Sequence, residues 1–224
     1  AGGELVIVMG SPASGKTTLA LPYEEKGYFR LNRDTFGGTL SGLVKRFETA
    51  ADEGKRLFVA DNTYPSRKSR AGLIEAARAR GLKVICRFLD ISVNDALFNA
   101  ARRQMQKVGR LLGPDEFKAA GKKDPNLFPP IVVTRWGATL ERPEASEGFE
   151  SIETVPFERD LGPGYTHKAL ILDYDGTLRK TASGRIYPTI PADVRLLPGR
   201  KAVLEAWQSA GYRLLGISNQ SGVS

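Results

Sequence analysis

The segment Gly10-Ser11-Pro12-Ala13-Ser14-Gly15-Lys16-Thr17 constrains this chain more than any other stretch. It fits G-x-x-x-x-G-K-[ST] at every fixed position. The glycines let the backbone curl until its N–H groups face a single phosphate. Lys16 supplies a point charge for β- and γ-phosphate oxygens, and the Thr17 hydroxyl suits Mg²⁺. Both flanks agree with this reading. Leu5 to Met9 is an apolar run ending in glycine, as in a buried parallel strand. A helix from Gly15 to Leu21 would direct its dipole at the phosphates. The alternative, a chance glycine-rich turn, would not explain both flanks. Gly10, Ser11, Pro12, Ala13, Ser14, Gly15, Lys16, Thr17 and Thr18 are therefore the expected nucleotide-binding residues.

Pro22 is expected to stop that first helix, because it lacks an N–H and its ring clashes with the preceding turn. Further on, short apolar runs alternate with helical patterns. Strands are expected at 28–31, 57–60, 83–89 and 151–155, and helices at 39–52, 65–80 and 94–106. Pro65 suits the first turn of its helix, and Gly81 suits the end. Such alternation predicts an α/β fold: a parallel sheet with helices on both faces. Residues 109–130 show no clear period and read as a mobile loop that could hold one turn of helix. Residues 131–140 fit a strand or a helix, and the apolar spacing of Ile131, Val132 and Trp136 favours the helix. Gly162-Pro163-Gly164 marks a linker over 162–168. Beyond it lie an apolar run at 169–172, a helix at 198–210 and a strand at 212–217.

Composition narrows the chemistry. No apolar run approaches the ~20 residues that a membrane span needs. The start, AGGELVIVMG, lacks a basic leader, so no signal peptide is expected. Cys86 is alone among 224 residues, which forbids an intrachain disulfide and suits a reducing cytoplasm. One Cys and one His rule out a Cys/His zinc site. A metal here should take oxygen ligands, as Mg²⁺ does. The net charge of +8 suits a polyanionic partner, because phosphate contacts release counterions. A protein that is merely basic would show the same number.

Two carboxylates fall where an α/β sheet binds its ligands, at the carboxyl ends of strands. Asp34, in Leu31-Asn32-Arg33-Asp34-Thr35, could take a proton from an attacking hydroxyl, or could cap a turn. Asp61, in Asp61-Asn62-Thr63, could act on Mg²⁺ or its waters, or could cap the helix that follows. Arg102, Arg103, Lys107 and Arg110 form a basic cluster that could close over ATP, or could be a solvated face.

The motifs GSPASGKTT, LNRDT, DNTYPSRKSRAGLIEAARARGLKV, NAARRQMQ and RPEASEGFESIETVPF occur in that order. Together they make residues 1–161 resemble the kinase domain of the bifunctional polynucleotide kinase 3′-phosphatase family. The resemblance implies a P-loop kinase that uses ATP and Mg²⁺ on the 5′-hydroxyl end of DNA or RNA. It implies that Asp34 is the general base and that Arg102 or Arg103 belongs to a lid over the nucleotide. The stretch 111–126 departs from the family pattern, which leaves its role open.

Asp173-Tyr174-Asp175-Gly176-Thr177 follows an apolar run. Two carboxylates two residues apart on a strand-to-loop turn can converge on one phosphate and one Mg²⁺. Asp173 would attack phosphorus, and Asp175 would protonate the leaving oxygen. An acidic turn is the bland reading. This D-x-D-G-T signature resembles the haloacid dehalogenase superfamily of phosphatases, whose Rossmann-like domain would begin at 169. Arg185-Ile186-Tyr187-Pro188 and the segment 217–222 resemble the 3′-phosphatase partner of the same family. The resemblance places Thr177, Ser218 and Asn219 on the phosphatase substrate. That superfamily also uses a lysine and a further acidic ligand from later in the chain. Residues 169–224 are therefore expected to be an incomplete domain of this type.

The leading expectation is a polynucleotide 5′-kinase joined to part of a 3′-phosphatase. The alternative is a small-metabolite kinase of the same fold joined to a sugar-phosphate phosphatase. A non-catalytic nucleic-acid binder fits less well, because Lys16, Thr17 and Asp34 are all present.

Overall fold

The computed structural model describes residues 2–159, 164 and 166–218. They divide into two compact units, Ala1–Glu158 and Arg159–Ser224.

The first unit is an α/β layer structure around five parallel strands. These are β1 (Glu4–Gly10), β2 (Phe29–Leu31), β3 (Leu57–Asp61), β4 (Lys83–Asp90) and β5 (Ser151–Pro156), in the order β2-β3-β1-β4-β5. The strand β1 is central because it is apolar on both faces, and Leu5 to Met9 are all fully buried. Its alternate residues serve two cores. Leu5, Ile7 and Met9 join Phe47, Phe58 and Ile74 on one face, while Val6 and Val8 join Ala20, Val59 and Leu89 on the other. Each large apolar side chain so buried contributes roughly 1.5–3 kcal/mol.

Helix α1 (Lys16–Glu25) covers the second face. Helices α3 (Leu40–Asp52) and α4 (Arg67–Ala79) cover the first. Phe47 of α3 meets Phe58 edge-on at 4.6 Å between ring centroids, the geometry aromatic pairs prefer. Helix α4 starts at Ser66, whose hydroxyl accepts from Ser69 N, and Ser69 reciprocates in a capping box.

Two expectations need correction. Pro22 does not stop α1, which runs on to Glu25. The last turn is tied from outside: the Tyr23 ring meets Tyr28 edge-on, and Arg87 donates to the Tyr23 hydroxyl at 3.1 Å. These contacts offset the missing N–H of proline. Residues 109–130 are not a loop with a single turn. After helix α5 (Val93–Val108), a 3₁₀ turn at Pro114–Glu116 leads into α6 (Phe117–Lys123). Polar contacts that no periodicity reveals order this stretch. Gln104 accepts from Leu112 N at 3.1 Å, Arg110 pairs with Glu116 at 2.5 Å, and Lys107 pairs with Asp124. A short helix α2 (Arg33–Phe36), not foreseen, follows β2. The ambiguous stretch is a helix, α7 (Ile131–Thr139), and Trp136 on it donates to Thr63 O at 3.2 Å.

In the second unit, β6 (Lys168–Asp173) pairs in parallel with β9 (Tyr212–Ile217), with helix α8 (Arg200–Ser209) between them in the chain. An unforeseen antiparallel pair joins β7 (Arg179–Thr181) to β8 (Val194–Leu196). Among the described residues of this unit no hydrophobic side chain is buried, and Ile171, Leu215 and Ile217 are exposed. Of the linker expected at 162–168, residues 162, 163 and 165 fall outside the described residues, and Lys168 already belongs to β6. No described helix is long and apolar enough to cross a membrane.

Candidate active site

Parallel pairing brings the chemistry to one edge. Val8 is in register with Asp61, Leu31 with Ala60, and Gly10 with Leu89. The phosphate loop, the β2–α2 turn and the end of β3 therefore share the carboxyl edge of the sheet.

The loop's shape demands glycine at two points. A Cβ on Gly10 would stand 2.9 Å from Ser14 Oγ and 3.0 Å from Leu89 O, and Gly15 holds φ at +96°. Ala13 also takes a left-handed φ of 62°, a conformation that costs a Cβ-bearing residue about 1–2 kcal/mol. The hydroxyls of Ser11 and Ser14 are buried without a hydrogen-bond partner, and the α1 N-cap, Gly15, supplies no side-chain acceptor. Buried orphan donors at a helix N-terminus suit an anion. Lys16 Nζ donates to Ser11 O at 2.7 Å. Burial pushes the Lys16 ammonium down to about 8; Asp61 opposes this, Arg103 adds to it and Asp34 opposes it.

The loop opens onto a cleft of about 440 Å³ lined by Lys16, Thr17, Asp34, Asp61 and Arg103, with Phe128 and Val132 among its apolar walls. Asp61 is almost fully buried. Its Oδ2 accepts from Thr17 Oγ1 at 3.1 Å, Arg30 NH2 at 2.6 Å and Asn32 Nδ2 at 3.1 Å. Asn32 works in both directions, since its Oδ1 accepts from Asp34 N at 2.7 Å and Thr35 N at 3.1 Å. One buried amide thus joins the Asp61 carboxylate to the turn that carries Asp34. Asp34 is exposed in the first turn of α2, and Asn32 caps that turn. The cap of α4 is likewise Ser66 and not Asp61. Neither carboxylate fills the capping role that its position in the chain allowed.

Arg102 and Arg103 separate. Arg103 lines the cleft and donates to Asn126 Oδ1 at 3.1 Å. Arg102, about 100° further round the helix, is not among the residues lining it. Lys107 and Arg110 turn instead to Asp124 and Glu116. The sequence pattern did not single out Arg30, Asn32, Asn62, Asn99 or Asn126. Asn62 accepts from Arg33 N at 3.2 Å and donates to Leu31 O at 3.2 Å. Asn99 donates to Ala13 O at 3.0 Å and steadies the phosphate loop. The cross-element contacts of these amides carry no spacing signature, because those partners lie 23 to 86 positions away in the chain.

In the second unit Asp173 ends β6, opposite Ile217 of β9. Asp175 accepts from Arg179 Nε at 2.9 Å, and Thr177 O accepts from Arg200 Nε at 2.7 Å. Ser218 follows β9 directly, whereas Asn219 lies outside the described residues. No group of three or more His, Cys, Asp or Glu side chains placed to hold a metal occurs among the described residues.

The five-stranded parallel sheet and its phosphate loop define a P-loop nucleotide-binding fold. The profile of a family described as an AAA domain matches residues 5–111. A bifunctional polynucleotide phosphatase/kinase of Schizosaccharomyces pombe (strain 972 / ATCC 24843) is 30% identical over 156 residues, covering 69% of this chain and 34% of that protein. The chain thus spans about a third of the length of the curated relative it matches. Kti12 of Chaetomium thermophilum, solved in complex with ADP-AlF3, shares the fold at 15% identity and a TM-score of 0.51, over 70% of this chain and 91% of that one. A gluconokinase from Sinorhizobium meliloti 1021 is 19% identical with a TM-score of 0.47, over 70% and 85% of the two chains.

Proposed function

We propose that this protein transfers the γ-phosphate of ATP to the 5′-hydroxyl end of DNA or RNA. The observation that carries the reading is the convergence of Lys16, Thr17, Asp61, Arg103 and Asp34 on one cleft. The motif match at LNRDT, the partial likeness to a polynucleotide phosphatase/kinase and the net charge of +8 support the nucleic-acid acceptor.

The residues present fit a nucleotide with Mg²⁺. Orphan hydroxyls and free helix N–H groups suit the phosphates, and the Thr17 hydroxyl offers the ion one oxygen. Mg²⁺ keeps several waters and usually takes few protein ligands, so a lone hydroxyl backed by Asp61 suffices. When bound, the ion would neutralise charge on the phosphates. Lys16 and Arg103 would stabilise charge on the transferring group. Asp34 would accept the proton of the 5′-hydroxyl as its oxygen bonds to phosphorus, and ADP would leave. The Asp34 backbone N–H, held by Asn32, fixes where that carboxylate starts.

For the second unit, we propose a part of a 3′-phosphatase site in which Asp173 is the nucleophile and Asp175 the acid, the two being the residues that would hold Mg²⁺ to offset phosphate charge, with Thr177, Ser218 and Asn219 on the substrate phosphate. The D-x-D-G-T turn at the end of β6, beside parallel β9, supports it.

The test of the kinase is phosphoryl transfer from ATP with Mg²⁺ to a short 5′-hydroxyl oligonucleotide, with sugars and nucleosides in parallel. Transfer to the oligonucleotide is expected. Efficient transfer to a sugar or nucleoside and none to the oligonucleotide would favour the small-metabolite kinase reading.

A further inference from the structure

Arg30 occupies an odd position. It lies in β2, an edge strand, between the aromatic Phe29 and the fully buried Leu31. Its side chain is 15% exposed, with NH2 at 2.6 Å from Asp61 Oδ2 and NH1 at 3.3 Å from Glu24. Its Nε is buried without a hydrogen-bond partner. An unsatisfied buried donor costs stability, so neither the strand nor the core requires an arginine here. What the arginine does make is the shortest contact on Asp61.

That contact decides what Asp61 can do. Oδ2 accepts from three donors at once: Thr17, Arg30 and Asn32. Oδ2 so occupied has no lone pair left for a metal, and the Arg30 guanidinium offsets the carboxylate charge that would draw a cation to Oδ1. The Thr17 proton is spent on Asp61, so the Thr17 lone pairs remain for a cation in the cleft.

We propose that Arg30 is a positioning residue that holds Asp61 as the acceptor for Thr17 and prevents the carboxylate from binding the divalent cation directly. This rests on the reading that the cleft takes a nucleotide with Mg²⁺. With Arg30 in place, Thr17 is the residue that would hold the cation, with phosphates and water completing its shell. Without it, the carboxylate presents more net negative charge toward the ion and keeps only the two longer contacts, from Thr17 and Asn32.

The test is the Mg²⁺ dependence of binding of a fluorescent ADP, read at equilibrium, for wild type, Arg30→Gln, Arg30→Lys, Asp61→Asn and the double variant. In Arg30→Gln the Mg²⁺ midpoint should fall by about tenfold, the scale on which partners of ligand groups act. Turnover should fall while KM for ATP stays near wild type. Arg30→Lys should move both back toward wild type. In the Asp61→Asn background, Arg30→Gln should leave the midpoint alone, and that double variant holds no unpaired carboxylate that could spoil folding. An unmoved or raised midpoint in folded Arg30→Gln, or an equal shift in the Asp61→Asn background, overturns the proposal. Wild-type ADP binding that ignores Mg²⁺ would sink the underlying reading of the cleft and this inference with it. Wild-type binding that follows Mg²⁺, with Arg30→Gln identical to it, sinks the inference alone.

Discussion

Lys16 and Asp34 line one cleft, yet their losses should look different. Lys16→Ala removes a positive charge from the β/γ-phosphates, so transfer should fall on the order of 10²–10³-fold with nucleotide binding weakened too. Asp34→Asn keeps the shape but cannot accept a proton. Its turnover on a 5′-hydroxyl oligonucleotide should drop by ~10²–10⁴, with ADP affinity intact by titration calorimetry. Near-normal turnover would remove Asp34 from the role of base. Lys16 also predicts a pH dependence. In the free protein burial lowers it to about 8, whereas phosphates hold it charged. Binding above that pH must take up a proton, so ADP affinity should be flat below about 8 and decline as pH rises beyond it. Affinity that increases above that pH would contradict the sign. At this scale the chain told half the story. The fixed positions of the loop were plain from residue type and spacing. Whether Asp34 and Asp61 cap helices was undecidable until Asn32 and Ser66 were seen to hold the caps.

Helices behaved according to what they touch. Apolar period and caps placed α3, α4 and α5 to within a few residues, because their buried stripes are local features of the chain. The extension of α1 through Pro22 leans on Arg87 of a distant strand, and the ordering of 109–130 on polar pairs between residues 6 to 17 positions apart, neither of which hydrophobic period reveals. The stretch between α7 and β5 shows the same dependence. Arg70, fully buried in α4, pairs with Glu147 through Nε at 2.5 Å and NH2 at 2.6 Å, and also reaches Tyr64 O and Arg142 O. Removing one partner leaves a buried charge uncompensated. Glu147→Ala should therefore cost about 3–5 kcal/mol in urea unfolding of the first unit. A loss below about 1 kcal/mol, the scale of surface pairs, would show that the pair is solvated.

For the whole molecule, charge and completeness matter most. With a net +8, oligonucleotide binding should weaken steeply with salt, log K falling by ~0.9 per duplex phosphate contacted and ~0.7 on single strands. Fluorescence titration at several salt concentrations reads the slope, and a flat response would speak against a polyanionic acceptor. In the second unit Asp175 is engaged by Arg179, and no third acidic side chain joins Asp173 and Asp175 among the described residues. Mg²⁺ would lack part of its octahedral cage there. These 224 residues should release phosphate from a 3′-phosphate oligonucleotide no faster than an Asp173→Asn control. Turnover above the control would mean that the site gains ligands in some other way.

Alternating strand and helix periods, with one phosphate loop between them, determined the α/β class and the place of that loop after β1 from the sequence alone, because backbone curvature and hydrophobic period are local properties. Tertiary structure alone decided which side chains share the cleft. Parallel register set Asp61 beside the loop, helical phase turned Arg103 inward and left Arg102 off the cleft lining, and the strand edge put Arg30 on Asp61. The pairs that Asp61 makes with Thr17 and Arg30 join residues 44 and 31 positions apart. Only the packing of the sheet brings such residues within hydrogen-bond reach.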